Sequence, residues 1–202
     1  MNAIHELAEY LKKFPGVGPR QATRFVYFLL KQDRTYLKQV ARLISELKNS
    51  VSTCKKCFRF FQARHGEAEC SVCSGKNRDE NYLLIVSNET DLDAIEKSGS
   101  YNGKYFVLGG TVPILAKNYS ERIRLNELIK TVKENSGLTE IVLALNANPE
   151  GEHTADIVRD SLKKMTDERK IKISLLGRGL STGAEIEYSD SETLKNALRN
   201  RF

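Results

Sequence analysis

All four cysteines of this 202-residue chain fall between positions 54 and 73, as Cys54-x2-Cys57 and Cys70-x2-Cys73 with twelve residues between the pairs. Each pair places two thiols on one short turn, able to face the same side of a tetrahedral ion, and four thiolates close its shell against a reactive water. The expectation is one structural Zn2+ per chain, held by Cys54, Cys57, Cys70 and Cys73. Such clustering excludes the dispersed disulfide framework of a small secreted domain. His65 is a spare ligand that the four cysteines make unnecessary. Lys55, Lys56 and Arg59 bring positive charge to offset the double negative charge of a four-thiolate centre.

Charge divides the chain. Residues 1–78 carry fifteen Lys and Arg against six Asp and Glu, whereas the remainder is slightly acidic, within a total of +6. The basic part is the candidate for a polyanion. No run of about 18 apolar residues occurs, and the start, MNAIHELAEYLKKF, has no signal-peptide apolar region. A cytoplasmic location follows as an expectation.

Before the cysteines, Ile4, Leu7, Ala8 and Leu11 repeat at helical spacing, Phe14-Pro15-Gly16-Val17-Gly18-Pro19 breaks the pattern, and Ala22, Phe25, Val26, Leu29 and Leu30 resume it. Tyr36 to Leu47 mark a third helix that ends near Asn49. Two glycines flanking an apolar residue let the backbone turn tightly, so that amides at the start of the second helix point outward toward a DNA phosphate. This matches the helix-hairpin-helix DNA-binding pattern, with Ala22 as the small residue that lets the helices approach. Gly16 and Gly18 are the candidate amide donors; Lys13, Arg20 and Arg24 are the candidate side-chain cations.

After Cys73 the stretch Ser74 to Asn81 reads as a linker. Strands are expected at 82–87, 104–108, 140–145 and 171–176, with helices near 89–97, 120–135 and 152–166. A further strand is expected over Ala184 to Tyr188 and a last helix over Ser191 to Arg199. Strands interleaved with helices predict an α/β layer with a mostly parallel sheet covered on both faces. Asn146-Ala147-Asn148-Pro149-Glu150-Gly151-Glu152 resembles the Asp-x-Asp-x-x-Gly element of the Toprim domain, and Ser87-Asn88-Glu89 the element that holds its glutamate. In active Toprim proteins a glutamate and two aspartates bind divalent metal for phosphoryl transfer. Here Asn146 and Asn148 stand at the aspartate positions, amides being far weaker Mg2+ ligands than carboxylates. Glu89, Glu150 and Glu152 are then a vestigial site or a partner contact, and acids at a helix start also have a purely structural use. No phosphate loop occurs. His5 and His153 stand without a nucleophile pattern, and Gly177 to Gly183 reads as a loop.

The ordered set of helix-hairpin-helix, four-cysteine knot, Toprim-like domain and terminal Gly-Ala-Glu-Ile-Glu-Tyr-Ser-Asp resembles the bacterial recombination mediators of the RecR family over nearly the whole chain. The segments that carry this are Phe14 to Arg20, the cysteines, Val107-Leu108-Gly109-Gly110, and Asn146 to Ala155. The resemblance implies a DNA-binding region at 1–52, a zinc finger at 53–78, a Toprim domain at 79–176 and a strand-helix segment at 177–202. It also implies a nucleoid-associated homodimer or ring-like homotetramer without turnover, which partners RecO and RecF and helps load RecA on single-stranded DNA. The chain departs from the family pattern at Thr111 to Lys117, where a Ser-Pro loop with glycines is usual, and at Ser174 to Gly177, where a threonine-arginine pair is usual and Arg178 is the available substitute. Two other classes remain open from residues alone: a metal-dependent Toprim nuclease or primase-like enzyme, and a zinc-stabilised interaction adaptor.

Overall fold

The computed structural model describes residues 2–63, 66–116 and 118–201. The chain divides into two compact units, residues 1–51 and 52–202.

The first unit is helical. Asn2 caps α1 (Ala3–Leu11) by accepting the Ile4 amide at 3.1 Å, and Pro19, whose ring fixes a helical φ, begins α2 (Pro19–Leu30). The two helices pack through Ala8, Ala22 and Val26, with Ile4, Leu11 and Val17 closing the contact. Ala22 is fully buried, which is what close approach of the two backbones requires. Asp33 caps α3 (Arg34–Ser50) through the amides of Thr35 and Tyr36. The third helix buries none of its residues; Leu43, Ile44 and Leu47 are each more than half exposed.

The second unit opens with a two-stranded antiparallel hairpin, β1 (Ser52–Thr53) and β2 (Phe60–Phe61), and a short helix α4 (Ser71–Ser74). Four strands follow, β3 (Asp79–Val86), β4 (Gly103–Val107), β5 (Glu140–Ala144) and β6 (Lys172–Leu175), in the order β4-β3-β5-β6 and all parallel. Parallel neighbours need crossovers, supplied by α5 (Glu89–Ser98), α6 (Leu125–Glu134) and α7 (Pro149–Arg169). One sheet face presents Leu83, Ile85, Phe106, Ile141 and Leu143 to Leu128 and Val132 of α6 and Val158 and Leu162 of α7. The other presents Leu84, Val86, Tyr105 and Val107 to Leu92 of α5 and to the four cysteines. The cysteine segment thus shares with α5 the task of covering this face.

Several elements depart from expectation. Strand β3 starts within the expected linker, because Asp79 pairs with Gly103 before a register shift brings Leu83 opposite Lys104. Helix α6 starts later than expected, preceded by a 3-10 turn at Tyr119–Glu121, and α7 is longer at both ends. The strand expected over Ala184 to Tyr188 is instead a 3-10 turn, Ile186–Tyr188, closed by Tyr188 N–H to Glu185 and Ser189 N–H to Ile186. Ile186 and Tyr188 are exposed and pair with no strand among the described residues, of which β6 is the last strand; the final helix α8 (Ser191–Arg199) forms as expected.

Candidate metal centre and nucleic-acid interface

The β1–β2 hairpin brings Cys54 and Cys57 onto one turn. Cys54 N–H donates to the Arg59 carbonyl at 2.9 Å, Phe58 N–H donates to the Cys54 carbonyl at 3.0 Å, and Phe58 takes a left-handed φ of 63°. The second pair spans α4, with Cys70 at its N-cap and Cys73 in its turn. All four thiols are buried, and their sulfurs lie within 4.8 Å of one another. The Cys57 and Cys70 sulfurs are 3.6 Å apart. A tetrahedron with metal–sulfur bonds of about 2.3 Å has edges of about 3.8 Å, so the cluster fits one such ion. The Cys70 amide points at the Cys54 sulfur at 3.3 Å, the kind of bond that steadies a thiolate ligand.

Crowding makes these thiols compete for protons. Hydrogen bonding to the Cys54 sulfur, aided by burial, pushes Cys57 and Cys73 well above the ordinary thiol range, while bonds led by that from Cys57 draw Cys54 far below it. Four thiolates occupy this space only with a cation among them, and such a cation displaces the protons. Two of the nearby bases also pair with acids: Lys56 with Glu69 and Arg59 with Asp93, each at 3.1 Å. His65 lies outside the described residues.

The turn is joined to the sheet. Val107 N–H donates to the Cys57 carbonyl at 2.9 Å and Lys104 Nζ to the Cys73 carbonyl at 3.0 Å. Phe58 packs on Phe106 with ring centroids 5.2 Å apart, and the Arg124 guanidinium lies 5.7 Å from the Phe58 ring while donating to the Val107 carbonyl. Nothing local in the sequence announces this clamp, since its members are 17 to 66 positions apart.

At the end of β5, Asn148 is the N-cap of α7: its Oδ1 accepts the Gly151 amide at 2.8 Å. The Asn146 carbonyl closes over Gly151, where a Cβ would stand 2.0 Å from that oxygen. Thr154 Oγ1 donates to the Glu150 carbonyl at 2.6 Å and accepts the Val112 amide at 2.9 Å, tying the divergent loop after Gly110 to α7. Glu152 pairs with Arg178 at 2.7 Å, and Glu150 accepts a long bond from Thr111 at 3.4 Å. Arg178 also reaches Glu192 at 3.6 Å, and its carbonyl accepts from Asn200 at 3.0 Å, so this one residue links the start of α7 to α8. Glu89 is half-buried as the first residue of α5, behind Asn88, whose amide donates to Asp91. Among the described residues the cysteines are the one set of three or more Cys, His, Asp or Glu that converges on a metal-sized space; Glu89, Glu150 and Glu152 are not gathered in this way.

In the first unit, Phe14 to Val17 form a turn closed by Val17 N–H to the Phe14 carbonyl at 3.1 Å, and Gly16 has φ of +75°, a conformation that favours glycine. Gly18 is the N-cap of α2 without a capping side chain, and a Cβ there would meet nothing within 4 Å. The amides of Gly18, Arg20 and Gln21 find no acceptor among the described residues. Pro19, at the first helical position, has no amide to offer. Lys13, Arg20 and Arg24 are exposed, and none has an acidic partner among the described residues.

The fold and these sites define a protein that joins a helix-hairpin-helix unit to a Toprim-type α/β unit braced by a thiol cluster. Family models agree: "RecR, helix-hairpin-helix" matches residues 4–48, "Toprim domain" 81–176 and "RecR, C-terminal" 179–201. A Recombination protein RecR of Syntrophobacter fumaroxidans is 35% identical over 198 residues, covering 98% of this chain and 94% of that protein. Those of a Cyanothece species and of Lactobacillus helveticus are 34% and 32% identical, again over 98% of this chain and over 94% and 96% of their own lengths. The chain belongs to the RecR family of recombination proteins.

Proposed function

We propose that this chain is a DNA-binding recombination mediator without catalytic turnover, acting in recombinational DNA repair. The hairpin carries the reading: a glycine with positive φ stands together with amides and three cations that have no acceptor or acidic partner among the described residues, a set suited to the DNA backbone and indifferent to base sequence. Gly16 and Gly18 shape the turn, and Lys13, Arg20 and Arg24 neutralise phosphates. The cysteines hold one Zn2+, whose closed thiolate shell supplies folding energy and leaves no open position for chemistry.

Absence of turnover rests on the Toprim element. Asn146 and Asn148 lack the charge that two-metal phosphoryl transfer needs, Asn148 is occupied as a helix cap, and Glu152 is paired with Arg178. Glu89 and Glu150 are then contact residues for a partner.

By family resemblance the chain works with RecO and RecF to help load RecA on single strands. The uncovered apolar face of α3 supports a homodimer or ring-like homotetramer, since a face of that kind is a docking surface more often than a solvent surface. The chain is organised for these tasks as 1–52, 53–78, 79–176 and 177–202. No helix among the described residues is long and apolar enough to cross a membrane; a cytoplasmic, nucleoid-associated location fits the reading. The test is DNA binding as a function of salt: binding that weakens steeply with salt, without strand cleavage in Mg2+ or Mn2+, is expected. Affinity indifferent to salt would favour an adaptor, and cleavage an enzyme.

A further inference from the structure

The core between α1 and α2 is complete without two of the aromatic rings beside it. Ala8, Ala22 and Val26, with Ile4, Leu11 and Val17, close that contact. Tyr10 and Phe14 are left 62% and 55% exposed. Beyond the end of α1 the chain tightens into turns, closed by Lys13 N–H to the Tyr10 carbonyl and Phe14 N–H to the Leu11 carbonyl, each at 3.1 Å. Tyr10, in the last turn of α1, and Phe14, at the start of the hairpin, thus flank Lys13. Lys13 Nζ lies 5.0 Å from the centroid of the Tyr10 ring, so a cation already borders the pair. Phe14 also opens the turn whose far end carries Gly16, Gly18, Arg20 and Arg24.

Exposed rings cost solvation and contribute nothing to this core. Rings bordered by cations and amides that have no acidic partner or acceptor among the described residues suit one kind of occupant, a strand that offers flat π-faces at short intervals along a phosphate backbone. A duplex hides those faces within its stack, whereas unpaired bases present them, and stacking on side chains is tolerant of sequence because every base has a face.

We propose that Tyr10 and Phe14 form a base-stacking platform for single-stranded nucleic acid, which gives the hairpin a preference for unpaired over duplex DNA. This rests on the hairpin reading above. Phosphates lie against Lys13, Arg20 and Arg24, and the adjoining bases lie on the two rings. The hairpin cations supply the salt-dependent part of affinity; the rings supply a part that salt does not screen.

Three fluorescently labelled probes separate these parts in titrations of the full-length protein: oligothymidine, an abasic strand of the same length and charge, and a duplex of that length. The wild type should bind oligothymidine more tightly than the abasic strand. Phe14→Ala and Tyr10→Ala should each weaken oligothymidine binding roughly 5- to 140-fold, the worth of one stacked base, and leave abasic binding and the salt slope unchanged. Phe14→Tyr should restore affinity. Sizing and circular dichroism of each variant, run beside the titrations, should match the wild type. Equal wild-type affinity for base-bearing and abasic strands overturns the platform while the hairpin reading stands. If Phe14→Ala changes oligomer size, the rings are a subunit contact and the platform is overturned. Salt-independent binding of every probe would overturn the hairpin reading itself.

Discussion

The backbone carbonyl of Cys57 accepts the amide of Val107 at 2.9 Å, so a turn of the cysteine knot satisfies an amide on the outer edge of β4. An edge strand presents unpaired amides and carbonyls that invite pairing with other chains, and proteins commonly blunt such edges. Here the knot occupies the edge at Val107, and Phe58 follows the same turn into the core against Phe106. The cysteine cluster is therefore tied to the Toprim sheet as well as to its own loop.

The first prediction concerns that tie. Purified without chelator, the protein should contain about one zinc per chain. Stripping it should speed hydrogen exchange at the amides of Cys54 and Val107 together, since both bonds depend on the same turn. Cys57→Ser should have the same effect and lower the melting temperature. Less than about half an equivalent of zinc, or unchanged exchange at Val107 on its removal, would contradict the assignment.

A second prediction follows from the close approach of Gly151 to the Asn146 carbonyl. A methyl group at 151 would overlap a backbone oxygen, which no side-chain rotation relieves. Gly151→Ala should destabilise the protein by at least the upper end of the ~1–3 kcal/mol typical of overpacking, measured by denaturant unfolding. Gly18→Ala, where the space is open, should cost no more than about 1 kcal/mol, the difference between Gly and Ala at an N-cap. Equal effects at the two positions would mean that the α7 entry is looser than described.

Metal chemistry gives the third. No cleavage, ligation or primer synthesis is expected with Mg2+ or Mn2+ on supercoiled, linear or single-stranded DNA. Turnover abolished by Glu89→Gln would refute this. Asn148→Asp keeps an oxygen to accept the Gly151 amide and should fold normally, whereas Asn148→Ala should cost about 1 kcal/mol through loss of the cap. Mg2+ binding gained by Asn146→Asp with Asn148→Asp, read by calorimetry, would mark the site as a former metal centre.

How far these features were legible depends on their range. The cysteine spacing and the glycine turn are local, and the chain displays them directly. The alternation of apolar runs with helical patterns foretells the parallel sheet because β3 from Leu83 onward and most of β4 are buried on both faces. Strand β3 was read short because its first residues, Asp79 to Asn81, are polar and carry no apolar signal. Ala184 to Tyr188 has the composition of a strand, yet a strand depends on a partner, and this segment pairs with none among the described residues. The Arg178–Glu152 pair and the Phe58–Arg124 contact join residues far apart in sequence, and no pattern within either segment foretells the other. The periodicity of α3 is legible, but a pattern of apolar residues does not say what they pack against, and Leu43, Ile44 and Leu47 are more than half exposed.

A fourth prediction uses the Arg78–Glu96 pair, in which both side chains are mostly buried. Hydrogen bonding from Arg78 holds the Glu96 carboxyl below its ordinary range, outweighing the opposite effect of burial. A group depressed in this way stabilises the fold fully above its unfolded pKa, near 4.3, and loses that contribution as pH falls through the folded value. Stability should therefore decline on acidification below about pH 5. Glu96→Gln should be less stable at neutral pH, with a shallower acid limb. A Gln variant with the wild-type acid limb would show that Glu96 does not contribute.

The last prediction tests the hairpin itself. Arg20 and Arg24 lie one helical turn apart at the start of α2, exposed and without acidic partners among the described residues, so a phosphate backbone gains both at little loss elsewhere. Each phosphate contact releases condensed counterions, which gives log affinity a slope against log salt of about 0.9 per contact on duplex DNA and about 0.7 on single strands. Arg20→Ala and Arg24→Ala should each flatten the slope by about that amount, and by a multiple of it if several subunits of an assembly grip one DNA. Arg24→Glu should nearly abolish binding with zinc content and oligomer size unchanged, which separates lost contact from lost fold. An unchanged slope in the double variant Arg20→Ala/Arg24→Ala would remove the hairpin from the interface. Attention would then pass to Lys55, whose charge has no acidic partner among the described residues, in preference to Lys56 and Arg59, which are already paired.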